Sequence, residues 1–144
     1  MKYLILIALL ASPLAHADKL YLGAKSYHLF SDENEYYRSN HALIAYERNG
    51  VIGGYFQNSH DDDTLFIAKR YYHHFSQQTT GSIMVGATFG YRGRCFGWSA
   101  NRERRVCPMI ALGVEHRFDI GKINPLANLM NLGNAIATLP GIEW

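Results

Sequence analysis

The chain has 144 residues, 48% hydrophobic and 18% charged, with 13 Gly, 10 Tyr, 7 Phe and two Cys. That length holds one domain of the usual size, roughly 100–200 residues, and excludes a two-domain enzyme or a large α/β core. A formal charge of +2 with His neutral is too balanced for an electrostatic nucleic-acid binder, and 13% aromatic residues exclude a disordered chain.

The first segment reads as an address. Met1-Lys2-Tyr3 carries one positive charge, Leu4 to Leu14 is apolar apart from Ser12 and Pro13, and Ala15-His16-Ala17 fits a small-x-small cleavage pattern. These three parts predict a secretory signal peptide over residues 1–17, leaving 18–144 as the folded domain. The apolar run is shorter than the ~20 residues a membrane-spanning helix needs.

Downstream, stretches of about ten residues alternate with a period of two. Leu20 to Phe30, Ala42 to Arg48 and Val51 to Ser59 have the length and aromatic content of strands. Leu65 to Phe75 sets Leu65, Ile67, Tyr71 and Phe75 on one face, interrupted by Lys69 and His73, against Phe66, Ala68, Arg70, Tyr72 and His74. Gly81 to Tyr91 opposes Ile83, Val85, Ala87 and Phe89 to Met84, Gly86, Thr88 and Gly90. Met109 to Phe118 opposes Ile110, Leu112 and Val114 to Ala111, Gly113, Glu115 and Arg117. Ile123 to Met130 and Asn134 to Trp144 complete the series, with Pro125 and Pro140 near strand ends or bulges.

The breaks carry information of their own. Arg48-Asn49-Gly50 contains the Asn-Gly pair of a tight hairpin, where both turn positions take positive φ. Ser76 to Thr80 and Asp119 to Lys122 are short and polar, Ser31 to Asn40 and Arg92 to Pro108 are long, and His60 to Thr64 is acidic. Short and long connections alternate, as in outer-membrane barrels with short periplasmic turns and longer outer loops. Eight strands of 9–11 residues need about 72–88 residues, which the chain can hold. The expectation is an all-β, eight-stranded antiparallel up-and-down transmembrane barrel with bulky residues toward lipid and small ones toward a narrow lumen. A soluble periplasmic barrel or sandwich is the alternative.

In an exported protein Cys95 and Cys107, with eleven residues between them, are expected to form a disulfide that staples a loop. The other reading is two unpaired thiols, and no partner ligands stand at zinc-site spacing. Arg92, Arg94, Arg102, Arg104 and Arg105 surround that loop, as a lipid-phosphate contact or as an exposed basic loop. Asp61-Asp62-Asp63 reads as a solvated acidic tip or a hard-cation site. His73 and His74 are adjacent on a strand and so face opposite sides, which excludes a shared metal site and leaves, with Tyr71-Tyr72, an interfacial aromatic belt.

Polar groups suited to chemistry gather at two breaks predicted to share the outer rim: His28, and Asn58-Ser59 ahead of the acidic run. A Ser hydroxyl is a poor nucleophile unless a base takes its proton, and a rim His is such a base. Read blandly, Tyr27-His28 is a polar belt and Asn58-Ser59 opens a turn.

The segments Ser26-Tyr27-His28, Tyr36-Tyr37-Arg38, Ala42 to Glu47 and Tyr55-Phe56-Gln57-Asn58-Ser59 resemble, in order and spacing, those of the lipid A palmitoyltransferase (PagP) family. The resemblance covers about Leu20 to Phe75. It implies an eight-stranded outer-membrane barrel that moves a palmitoyl chain from phospholipid to lipid A at the outer surface, through a His, an Asp and a Ser. His28, Asn58 and Ser59 stand at the matching positions, so the acid is replaced by an amide. An Asn orients an imidazole but does not stabilise an imidazolium as an anion does. The implied partners are membrane phospholipid and lipopolysaccharide, acting on a monomer in the outer membrane; nucleic acid, cofactor and metal are not expected. The competing expectation is a non-catalytic surface barrel that binds lipopolysaccharide, a partner protein or a phage component through its loops.

Overall fold

The computed structural model describes residues 18–29, 38–91, 105–132 and 135–144. These form eight strands: β1 Lys19–His28, β2 Asn40–Arg48, β3 Val51–Gln57, β4 Asp63–His74, β5 Thr79–Tyr91, β6 Arg105–Arg117, β7 Asn124–Asn131 and β8 Ala135–Glu143. Each pairs antiparallel with the next, and β8 returns to β1 with Lys19 opposite Glu143 and His28 opposite Ala135. The sheet closes into an eight-stranded up-and-down barrel, as the alternation predicts, and closure leaves no edge strand.

The hairpin at residues 48–51 forms as expected, with Asn49 at φ 53° and Gly50 at φ 72°, so Arg48 faces Val51. Two boundaries differ from the sequence reading. β6 begins at Arg105, and Pro108, expected in a loop, lies within it opposite Ala87. The 13-residue β5 offers a continuous partner there, so the ladder runs on despite one missing N–H. β3 ends at Gln57 because the Asn58 side chain takes over the backbone hydrogen bonding of the following turn. The alternation of short and long connections stops at the last hairpin, where three residues link β7 to β8. The expected signal segment 1–17 and Cys95 lie outside the described residues. Cys107 is buried and disulfide-bonded.

One irregularity decides what the rim contains. On β1 the register against β2 shifts between Leu22 and Ala24, and against β8 between Tyr21 and Lys25. Gly23 sits in this interval at φ 76°, a conformation that glycine adopts without strain. Three β1 residues there stand against two of β8, and one stands against two of β2; such a one-residue slip inverts the alternation beyond it. Accordingly Tyr21 is buried and Leu22 exposed before it, whereas Ser26 is buried and Tyr27 exposed after it. With an uninterrupted pleat, Ser26 and His28 would point outward.

The lumen is filled in layers. Tyr21, Glu47, Arg70, Ser82, Glu115 and Asn128 are buried toward the short-turn end. Above them lies an apolar layer that includes Phe66, Met84, Ala111, Met130 and Leu139, with Phe56 edge-on to Phe66 at 5.9 Å. The expectation of small inward residues holds for Ala45, Ala68, Ala111 and Ala137 but not for the lumen as a whole. Strand length forces an inward position every second residue, and the bulky and charged side chains at those positions fill the bore. Outside, Leu65, Ile67, Ile83, Val85, Ile110 and Leu112 form a continuous exposed apolar face.

Candidate functional site

The floor of the lumen is an ion-pair cluster. Arg70 has a fully buried side chain; its Nη1 donates to Tyr21 Oη at 2.8 Å and Glu47 Oε2 at 3.1 Å, and its Nε donates to Ser82 Oγ at 3.1 Å. Tyr21 Oη in turn donates to Glu115 Oε2 at 2.6 Å, and Tyr72 donates to Glu47. Lys19 Nζ reaches Glu115 Oε1 at 2.5 Å and Glu143 at 3.7 Å, while Arg117 Nη1 donates to Glu143 Oε1 at 3.1 Å. Three cations meet three carboxylates, which offsets much of the cost of burying the charges, although Arg70 Nη2 has no hydrogen-bond partner among the described residues. A cavity of about 140 Å³ opens beneath, lined by Lys19, Tyr72, His74, Glu115, Arg117 and Glu143. Sequence reasoning placed Tyr72 in an aromatic belt; its inward register sends it to the cluster, and only Tyr71 is exposed outside.

The opposite rim is built differently. The turn between β3 and β4 is organised by Asn58, which is 1% exposed. Its Oδ1 accepts from the backbone N–H of His60 at 2.9 Å and of Asp62 at 3.1 Å, and its Nδ2 donates to Thr64 Oγ1 at 3.1 Å. Asn side chains commonly cap turns in this way, and Asp61 at φ 63° completes the reversal. Arg38 ties the start of β2 to the same turn: its N–H donates to Ser59 O at 3.1 Å and its Nη1 to Asp61 Oδ1 at 2.5 Å.

Ser59 is thereby held facing β1, and His28 Nε2 lies 3.0 Å from Ser59 Oγ across 31 residues of sequence. Beside this pair Ser26 Oγ lies 2.7 Å from His41 Nε2, and His41 Nδ1 lies 2.8 Å from the carbonyl oxygen of Gln57. Two Ser–His pairs therefore line one mouth. His28 and Ser59 are brought together. Asn58 is adjacent in sequence, but its amide is spent on the turn. Ser26 and His41 were not singled out as site residues, although Ser26 lies two residues from His28 and His41 shares a face with Leu43 and Ala45.

The other polar clusters resolve into local partners. Asp61 takes Arg38, and Asp63 Oδ1 accepts from Tyr55 Oη at 2.6 Å. His73 packs edge-on against Phe75 at 5.3 Å, whereas His74 Nδ1 lies 3.0 Å from Thr80 Oγ1. Among the described residues no group of three or more His, Cys, Asp or Glu is arranged to hold a metal ion. Of the basic loop only Arg105 is described, as the first residue of β6. The geometry defines a closed β-barrel with a polar floor and a His/Ser rim. No protein-family model matches the chain, and no curated protein matches it.

Proposed function

We propose that the chain is an exported outer-membrane barrel with a lipid acyltransferase site at its outer rim, acting on phospholipid and lipopolysaccharide in the manner of the family it resembles. The membrane setting is supported by the exposed apolar face, which has the outward alternation of lipid-facing strands. The activity is carried by one observation, the 3.0 Å contact between His28 and Ser59. That distance lies within the ~2.6–3.2 Å over which a base can take a hydroxyl proton. His28 serves as general base at the rim, and Ser59 meets the acyl group as nucleophile or as polar donor. Asn58 acts indirectly, by holding the turn that presents Ser59.

Mass spectrometry of lipid A from cells with and without the protein tests the reading. A gain of one acyl chain is expected only in cells that make it. An unchanged pattern, with the barrel shown to be folded by heat-modifiable gel migration, would overturn the enzyme. One observation favours the non-catalytic reading: the amide at Asn58 carries no charge and points into the turn. On that reading His28→Ala leaves lipopolysaccharide binding intact.

A further inference from the structure

The second rim pair is better prepared for nucleophilic chemistry than the first. A carbonyl oxygen only accepts, so His41 Nδ1 must carry the proton that bridges the 2.8 Å to Gln57 O. In the neutral ring Nε2 then bears the lone pair, and the 2.7 Å contact runs from Ser26 Oγ–H to Nε2. Hydroxyl, base and orienting acceptor thus stand in the order that an activated serine requires. The His28–Ser59 contact, by itself, leaves the direction of its proton open. Ser26 is 4% exposed and His41 half-buried, so the serine hydroxyl is shielded from bulk water.

We infer that Ser26 is a nucleophile for the acyl group of a lipid ester, with His41 as its base and the Gln57 carbonyl fixing the tautomer. This rests on the acyltransferase reading but assigns the covalent step to a different serine. Ser26 Oγ attacks the ester carbonyl carbon, the Oγ–C bond forms and the ester C–O bond breaks. The proton leaves Oγ for His41 Nε2 and passes to the departing alkoxide, giving a lysolipid alcohol and acyl-Ser26. An acceptor hydroxyl then attacks the acyl carbon, its proton goes to His41 and on to Ser26 Oγ, and the serine is restored. Exclusion of water favours transfer over hydrolysis of the acyl-serine. His28 and Ser59, on the same mouth, are placed to orient the acceptor hydroxyl and take its hydrogen bond. Successive inward residues on a strand stand ~6.5–7 Å apart, so Ser26 and His28 can serve one reacting centre.

The test is covalent labelling of the full chain, refolded in detergent micelles, with an alkyl fluorophosphonate. Cleavage after Lys25, Arg38, Arg48 and Lys69 places Ser26 and Ser59 on different tryptic peptides. Fragmentation is expected to place the adduct on Ser26. Ser26→Ala should not label there, His41→Gln should label at least ~100-fold more slowly as befits loss of a general base, and Ser76→Ala, at the far end of the barrel, should label like the wild type. An adduct on Ser59, or none on a barrel whose heat-modifiable migration shows it folded, would overturn the inference. Lipid A acylation that survives Ser26→Ala would overturn it while leaving the acyltransferase intact. A labelled Ser26 in a protein that leaves lipid A unchanged would uphold the nucleophile and discard the lipid A acceptor.

Discussion

At the short-turn end of the lumen Arg70 meets Tyr21, Glu47 and Ser82 at once with its side chain wholly buried, whereas at the rim His28 meets Ser59 at 3.0 Å and stays partly open to solvent. The floor holds strong charges paired with one another. The rim holds weaker acids and bases in pairs, which retain the capacity to exchange protons with a third molecule. The difference teaches where this barrel places its polar residues: the floor fills the bore with ion pairs, and the rim gathers His and Ser pairs at one mouth.

The comparison breaks most visibly at Arg70. Arg70→Met leaves Glu47 and Glu115 buried beside fewer partners and should cost about 3–5 kcal/mol of stability. Urea unfolding of the refolded barrel measures it, and a loss below ~1 kcal/mol would mean that the floor is solvated rather than sealed. His28→Ala should leave the unfolding midpoint within experimental error and lower acyl transfer by about 10²–10⁴-fold, the usual contribution of a general base. Parallel losses of folding and transfer would place His28 with the floor in function.

Smaller effects sharpen the same division. Gly23→Ala forces a Cβ onto a positive φ at a cost of about 1–2 kcal/mol. Labelling of Ser26 should fall along with it, because the bulge is what aims that residue inward. Asn58→Asp keeps the acceptors for the His60 and Asp62 N–H groups, so the turn should persist. Transfer should not rise above the wild-type rate, since the new carboxylate faces the turn; a tenfold gain would show that it reaches His28. The smallest effect lies in the β6–β7 turn, where hydrogen bonds from Gln78 and Arg117 hold the Asp119 carboxyl below its ordinary range. A depressed carboxylate stabilises the fold above its unfolded value and loses that contribution as pH falls. Asp119→Asn should therefore lower the unfolding midpoint slightly at pH 7 and by progressively less as the pH falls below the ordinary carboxylate range, on a surface where ion pairs contribute little.

Much of this was legible beforehand. The faces of Leu65 to Phe75, Gly81 to Tyr91 and Met109 to Phe118 emerge as read, because side-chain direction on a strand alternates whatever the strand pairs with. The Asn49-Gly50 turn is likewise local, set by two residues that accept positive φ. His28 and Ser59 were readable as candidates by residue type and position. Their contact was not, since it depends on how β1 and the β3–β4 turn meet across the closed sheet. His41 went unread because a lone His on an apolar face carries no signal until its Gln57 acceptor is placed. The floor was missed for the same reason. Arg70, Glu47 and Glu115 come from three strands, and no local pattern shows that closure brings their charges together.

Local alternation and turn chemistry thus determined the number of strands, their order and the outward apolar face, because each depends on residues within a few positions of one another. Tertiary structure alone decided which polar residues share the lumen. A one-residue slip in register around Gly23 reverses the facing of everything after it on β1, and that reversal is defined only by the registers with β2 and β8. The pairing of Ser26 with His41 and of His28 with Ser59 follows from that bulge, from the neighbouring strands and from a turn built by Asn58.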